Sequence, residues 1–205
     1  LYQVLMTLTS GILVLTPLGV FGYALFVTAA TGLSVVMALL GYMAAVSLGL
    51  LVHGVLVLPA LLFLLTRRSP WAFAWSMRDA LGLAFSSASS SGTLPLTLQC
   101  ATEKAGIPPR VANFTLPLGA TLNMDGTALY EVVAVLFVAQ MLGDLSLAEQ
   151  VVVAVTALLA SIGAAGIPMA GTVMMVVVMG AVGMDTEAVL VILAVDRPLD
   201  MARTA

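Results

Sequence analysis

Charge is what this chain has least of: 7 Lys and Arg and 10 Asp and Glu in 205 residues, with none of the four among residues 1–66. A soluble domain carries about one quarter charged residues; here the fraction is 8%, against 61% hydrophobic residues and a mean hydropathy of +1.16. That excludes an ordinary soluble fold and points to an integral membrane chain. There is one cysteine, Cys100, which excludes an internal disulfide and a cysteine metal cluster. One histidine, His53, sits in an apolar stretch and reads as a packed side chain, and the lack of a His/Cys set argues against zinc or copper. The net charge of -3 is too unevenly distributed to suggest a partner, and no nucleic-acid partner is expected. The chain opens on Leu1 and stops at Ala205 inside an apolar helix, so it reads as an internal portion of a larger protein.

What is present is a series of apolar segments. A helix needs about 20 apolar residues to cross the hydrocarbon core. Residues 1–30, bent at Thr16 and Pro17, and residues 34–66, after the Thr31-Gly32 break, are each long enough. The region 70–109 is different, because its apolar arms on either side of "SSASSSGTLP" are too short to span. An arm that enters and cannot cross must return, so a re-entrant helical hairpin is expected. Five of the seven basic residues, Arg67, Arg68, Arg78, Lys104 and Arg110, flank it, which puts its base on the cytoplasmic side.

Residues 111–142 then cross outward, and the loops carrying Asp144 with Glu149 and Asp185 with Glu187 contain no basic residue. Between those loops, 146–184 folds back at "SIGAAGIPMAG" as a second hairpin. A last helix, 187–205, carries Asp196, Arg197, Asp200 and Arg203 inward. The fold class is therefore an all-α integral membrane protein, with two re-entrant hairpins and discontinuous helices in two inverted units. Broken segments in corresponding positions of inverted halves mark a transporter whose site lies at the bilayer midplane.

The polar residues inside these segments are the candidate site. Each hairpin's returning arm begins at its tip, so its free N–H groups favour an anionic group there. Serine hydroxyls from 86 to 91 add donors to the first tip. "NMDG" at 123–126 interrupts a spanning helix; unwound carbonyls, the Asn123 amide and the Asp125 carboxylate make an oxygen shell for a hard monovalent cation, with Gly126 expected to relieve backbone strain. Glu131, in the continuing half-helix, is a candidate proton carrier. Asp196, Asp200 and Arg203 fall at i, i+4 and i+7 on one face, and Arg203 can grip a carboxylate with two parallel N–H groups. Arg197 lies off that face and has no assigned role. Re-entrant loops also occur in ion channels, but these do not come as opposed hairpins beside charged, broken helices. A serine hydrolase would need a base near Ser90, and His53 is on a distant segment, so no enzyme is expected.

"SSSGTLP", "TLPLGATLNMDGTALYE", "ASIGAAGIPMAG" and "AVDRPLDMART" carry a resemblance to the glutamate and neutral amino acid transporters, the dicarboxylate/amino acid:cation symporters, over roughly residues 80–205. The resemblance implies sodium-coupled symport of aspartate or glutamate through a cell membrane by an elevator-like motion in a homotrimer. The first segment would belong to the scaffold, the rest to the transport domain, and the second hairpin would be the gate. It places substrate at Ser90, Thr127, the backbone of Ile167, Asp200, Arg203 and Thr204, with Asp200 on the α-amino group and Arg203 on the side-chain carboxylate. It places sodium ions at Gly119, Asn123 and Asp125, and at Thr121, Ser161 and Ile162. Glu131 matches the acidic position of proton-coupled relatives. Arg203 favours an acidic substrate, because relatives that carry neutral amino acids have a small residue there. A proton-coupled glutamate or C4-dicarboxylate symporter is the alternative within the same family.

Overall fold

The computed structural model describes residues 33–143 and 145–205, together with six positions before them, 18, 21, 22, 25, 26 and 29. The rest of the first expected segment, the Thr31-Gly32 break and Asp144 lie outside the described residues. Among the described residues the structure is helical, without strands.

The first long helix is α1, Leu33–Val52, which passes through a π-helical turn, His53–Val57, into α2, Leu58–Thr66. The widening has a local cause. Pro59 has no N–H, and its ring presses on the carbonyl one turn back, so the chain takes up an extra residue and Leu58 N–H donates to the His53 carbonyl. Arg67, in the left-handed region at φ 58°, ends α2. Ser69 then caps α3, Pro70–Ser87, by accepting from Ala72 N–H, with Pro70 at the first helical position. At the opposite end Ala88 turns through φ 52°, and Ser89 caps α4, Ser90–Gln99, which continues into a second π-helical turn, Cys100–Lys104. The Lys104 ammonium donates to the Asp79 carboxylate, tying the returning arm to the base of the first. That hydrogen bond and the charge beside it hold Asp79 below the usual carboxylate range.

A broken helix follows: α5, Pro109–Leu122, and α6, Asp125–Leu142, separated by Asn123 and Met124. The second folded-back pair is α7, Leu147–Gly163, opened by a capping box of Ser146 and Glu149, and α8, Ala170–Ala181. A short 3-10 turn, Thr186–Ala188, leads into α9, Val189–Thr204.

Residues 37–66 and 109–142 are long and apolar enough to cross a membrane, the second including the break. The core is formed where α1, α6, α7, α8 and α9 meet, around Tyr42, Val46, Tyr130, Val135, Val153, Met175, Val178 and Ile192. α6 is central to it, with Tyr130, Glu131, Ala134, Val135, Val138 and Ala139 buried. α9 packs against α1, α3, α6 and α8, so its charged face is held among both hairpins and the broken helix.

Candidate functional site

The two tips meet. The Gly166 carbonyl of the second tip accepts from Ser91 N–H at 3.0 Å and from the Ser89 hydroxyl at 2.8 Å. Ser89 Oγ also accepts Gly92 N–H at 3.0 Å, so one side chain caps its own helix and binds the opposite tip. A Cβ on Gly166 would lie 2.6 Å from Ser91 Oγ and 3.0 Å from Ser91 N, which explains the absence of a side chain there. Other hydroxyls of the serine run are spent locally: Ser86 donates to the Leu83 carbonyl, and Ser87 pairs with Thr93 and receives Ser89 N–H. Ser90 lines the space between the tips and is the hydroxyl of the run that faces the candidate substrate cavity.

Beside the tips lies the end of α9. Arg203 Nε and Nη2 donate to Asp200 Oδ1 at 2.9 and 2.6 Å, while Met169 N–H, at the root of the second tip, donates to Asp200 Oδ2 at 2.9 Å. Arg197 Nη1 stands 3.8 Å from that same oxygen. Arg203 stacks over the Tyr130 ring, 4.6 Å from guanidinium carbon to centroid, and Tyr130 hydroxyl donates to Asp196. The Asp200 and Arg203 side chains are 2% and 3% exposed. Arg203 Nη1 has no hydrogen-bond partner, and neither do both Glu131 oxygens, Thr172 Oγ1, Asp196 Oδ2 and Tyr42 hydroxyl. A buried, unpaired guanidinium N–H costs free energy unless an acceptor reaches it. A Cβ on Gly171 would fall 1.7 Å from Arg203 Nη1, so that glycine gives the guanidinium its place.

Ser90, Thr127, Gly166, Ile167, Asp200, Arg203 and Thr204 line one cavity of ≈ 20 Å³, room for little more than a water. All six sequence-predicted substrate residues thus share it. The Ile167 backbone is internally engaged, its N–H with the Ala165 carbonyl and its carbonyl with Ala170 N–H, and Thr204 hydroxyl donates to the Asp200 carbonyl. The cavity adjoins a larger one of ≈ 800 Å³ bounded by His53, Asn123, Asp125, Thr127 and the end of α9.

That larger space exposes the helix break. Asn123 at φ -105°, ψ 72° and Met124 at φ -112°, ψ 50° carry the interruption. Gly126 is already helical, so the expectation that it relieves backbone strain is corrected: a Cβ there would meet the Arg203 carbonyl oxygen at 2.8 Å, and the glycine lets α9 approach. Asn123 Nδ2 donates to Asp125 Oδ1 at 3.3 Å, leaving the amide oxygen free, and the Gly119 carbonyl accepts Asn123 N–H with one lone pair to spare. Asn123 borders the larger space together with Asp125, and a neighbouring cavity together with Gly119. At the other expected sodium position, Thr121 and Ser161 hydroxyls donate to Leu118 and Leu158, which turns their lone pairs outward, while Ile162 is 41% exposed. No hydrogen bond joins Thr121 to Ser161 or Ile162.

His53 was read as a packed side chain, yet its Nε2 contacts Asp125 Oδ2. His53 is the first residue of the π-helical turn. The available signal was its status as a lone ionisable group in a spanning helix, which by default suggests function. Arg197, which the sequence alone leaves without a role, stands at i, i+3 from Asp200, a spacing that does permit the contact seen; the roles of Gly166, Gly171 and Met169 N–H had no sequence signal beyond the small-residue tip.

Comparisons with known proteins give the family. A family model described as "Sodium:dicarboxylate symporter family" matches residues 1–205. Excitatory amino acid transporter 3 of Mus musculus is 52% identical over 164 residues, 80% of this chain and 31% of that protein. The putative sodium-dependent excitatory amino acid transporter glt-4 of Caenorhabditis elegans is 52% identical over 167 residues, 81% and 34% of the two chains. Excitatory amino acid transporter 1 of Homo sapiens is 49% identical over 164 residues, 80% and 30%. The chain spans about a third of the length of these relatives.

Proposed function

The chain belongs to the sodium:dicarboxylate symporter family, and from that premise we propose that it supplies the substrate and cation sites of a sodium-coupled symporter of acidic amino acids. The observation that carries the reading is Arg203: almost fully buried, anchored on Asp200 through Nε and Nη2, with Nη1 unpartnered where the two tips meet. A guanidinium so placed is prepared for a carboxylate. Asp200 is the counterpart for an α-amino group, which would replace Met169 N–H and Arg197 on Oδ2. Entry of an amino acid into a ≈ 20 Å³ space requires the second tip to move, since its bonds to Ser89, Ser91 and Asp200 close that space.

Sodium supplies the driving ion. Gly119, Asn123 and Asp125 would hold one ion, and Thr121, Ser161 and Ile162 another. Asp125 is linked to the substrate site through the chain, because Thr127 and Arg203 border the same larger cavity. The protein works in a plasma membrane, with loops 67–78 and 104–110 cytoplasmic, as a homotrimer in which residues 1–30 belong to the scaffold and 34–205 move with the substrate in an elevator-like step. Uptake of labelled aspartate by the full-length protein in proteoliposomes tests this: uptake rises with an inward sodium gradient, and equal flux with and without it would refute sodium coupling.

A second reading, proton-coupled symport of glutamate or a C4-dicarboxylate, is favoured by Glu131, fully buried with neither oxygen hydrogen-bonded. Glu131→Gln should flatten the pH dependence of uptake and leave its sodium dependence. An unaltered pH profile would return Glu131 to a packing role.

A further inference from the structure

Both tryptophans of the chain, Trp71 and Trp75, lie one turn apart on α3 and are 73% and 70% exposed. Arg78 continues the same face and stacks on Trp75, its guanidinium carbon 4.5 Å from the ring centroid. Immediately before α3, Arg67 lies 5.7 Å from the Phe63 centroid, and Arg68 follows it. Among the described residues neither Arg67, Arg68 nor Arg110 has a carboxylate partner, and Asp79, which stands 3.5 Å from Arg78 Nε, is taken by Lys104. The result is an aromatic ledge with two unneutralised guanidinium groups, Arg67 and Arg68, and a third, Arg78, that shares Asp79 with Lys104, located where the apolar run of α2 ends.

We propose that Arg67, Arg68, Trp71, Trp75 and Arg78 form a binding surface for anionic phospholipid headgroups at the base of the first hairpin. Indole rings settle at the level of the headgroups, with the ring body in the acyl boundary. Guanidinium groups beside them meet lipid phosphates bidentately, and a lipid of net negative charge is preferred over a zwitterionic one, whose own cation already neutralises its phosphate. A soluble acidic partner would pair with the arginines but would have no use for two exposed indoles directly beyond the end of a membrane-length helix. The inference rests on the membrane-spanning reading of residues 37–66, not on the identity of the substrate.

The two indoles also provide the test. In proteoliposomes of the full-length protein, emission assigned to Trp71 and Trp75 by difference from a Trp71→Phe/Trp75→Phe variant is quenched by brominated phosphatidylglycerol or brominated phosphatidylcholine. The expected result is preferential association of the anionic lipid, about fivefold for each arginine engaged. That preference disappears in Arg67→Gln/Arg68→Gln/Arg78→Gln and persists in the corresponding lysine variant, with sodium-driven uptake reporting that each variant folds. Equal quenching by the two lipids would overturn the headgroup site while leaving the membrane reading intact. Absence of quenching by either would show a face covered by protein, and would overturn it too.

Discussion

The two hairpins are alike in outline and opposite in how their tips are held. The first tip is self-sufficient: Ala88 makes the turn, Ser89 caps α4, and Ser87 and Thr93 brace one another across it. The second is not. α8 starts at a left-handed Met169 with no side-chain cap, and "AAGIPM" contains no hydroxyl, amide or carboxylate. Three of its stabilising bonds come from elsewhere, two to Gly166 from the first hairpin and one from Met169 N–H to Asp200 on α9. A tip held by borrowed bonds can leave without unfolding its own arms. That is a physical reason, independent of resemblance, for assigning the gate to the second hairpin.

The largest effect should come from adding a methyl to the second hairpin where the first would accept one. Gly171→Ala puts a Cβ into the position of Arg203 Nη1, and breaking a buried ion pair costs about 3–5 kcal/mol. Aspartate affinity, measured as the concentration dependence of uptake, should fall by roughly 100-fold or more. Gly82→Ala on α3 meets nothing within 4 Å and should leave affinity unchanged; equal losses from both would erase the contrast.

Next in size is Gly166→Ala, which forces Ser91 away and parts the tips. Amide exchange in 164–169 should accelerate, with the arms of both hairpins unchanged. Ser89→Ala is smaller and sharpens the comparison, because it removes a cap worth about 0.5–2 kcal/mol together with one inter-tip bond. Thermal denaturation should register the loss of the cap, and exchange should rise at both tips rather than at one.

The smallest effect belongs to the base of the first hairpin. Lys104 lowers the Asp79 pKa from 3.8, so the contribution of this pair is complete above that value and lost as pH falls through the lower, folded one. Asp79→Asn should therefore give, already at neutral pH, the looser hairpin base that the parent chain reaches only in acid, followed by exchange of the 100–105 amides. That exchange should no longer respond to acid, while uptake at neutral pH is unchanged.

Much of this was legible in the sequence. Two apolar arms too short to span imply a hairpin, and Asn123 to Gly126 inside an apolar run implies a broken helix; both inferences rest on lengths and backbone chemistry that a single chain carries. All six residues assigned to substrate line one small cavity. What was not legible depends on long-range approach. His53 meets Asp125 across 72 residues of chain, Gly126 is required by the carbonyl of a residue 77 positions later, and Gly166 and Gly171 are required by Ser91 and Arg203. Local propensity contains none of those distances.

The most direct test of the account is amide exchange at the two tips of the full-length protein, with and without sodium and aspartate. Exchange in 164–169 should be faster than in 88–93 in the absence of both, and should slow strongly when both are added, while 88–93 changes little. Equal protection of the two tips, or a response confined to the first, would contradict the assignment of the second hairpin as the gate.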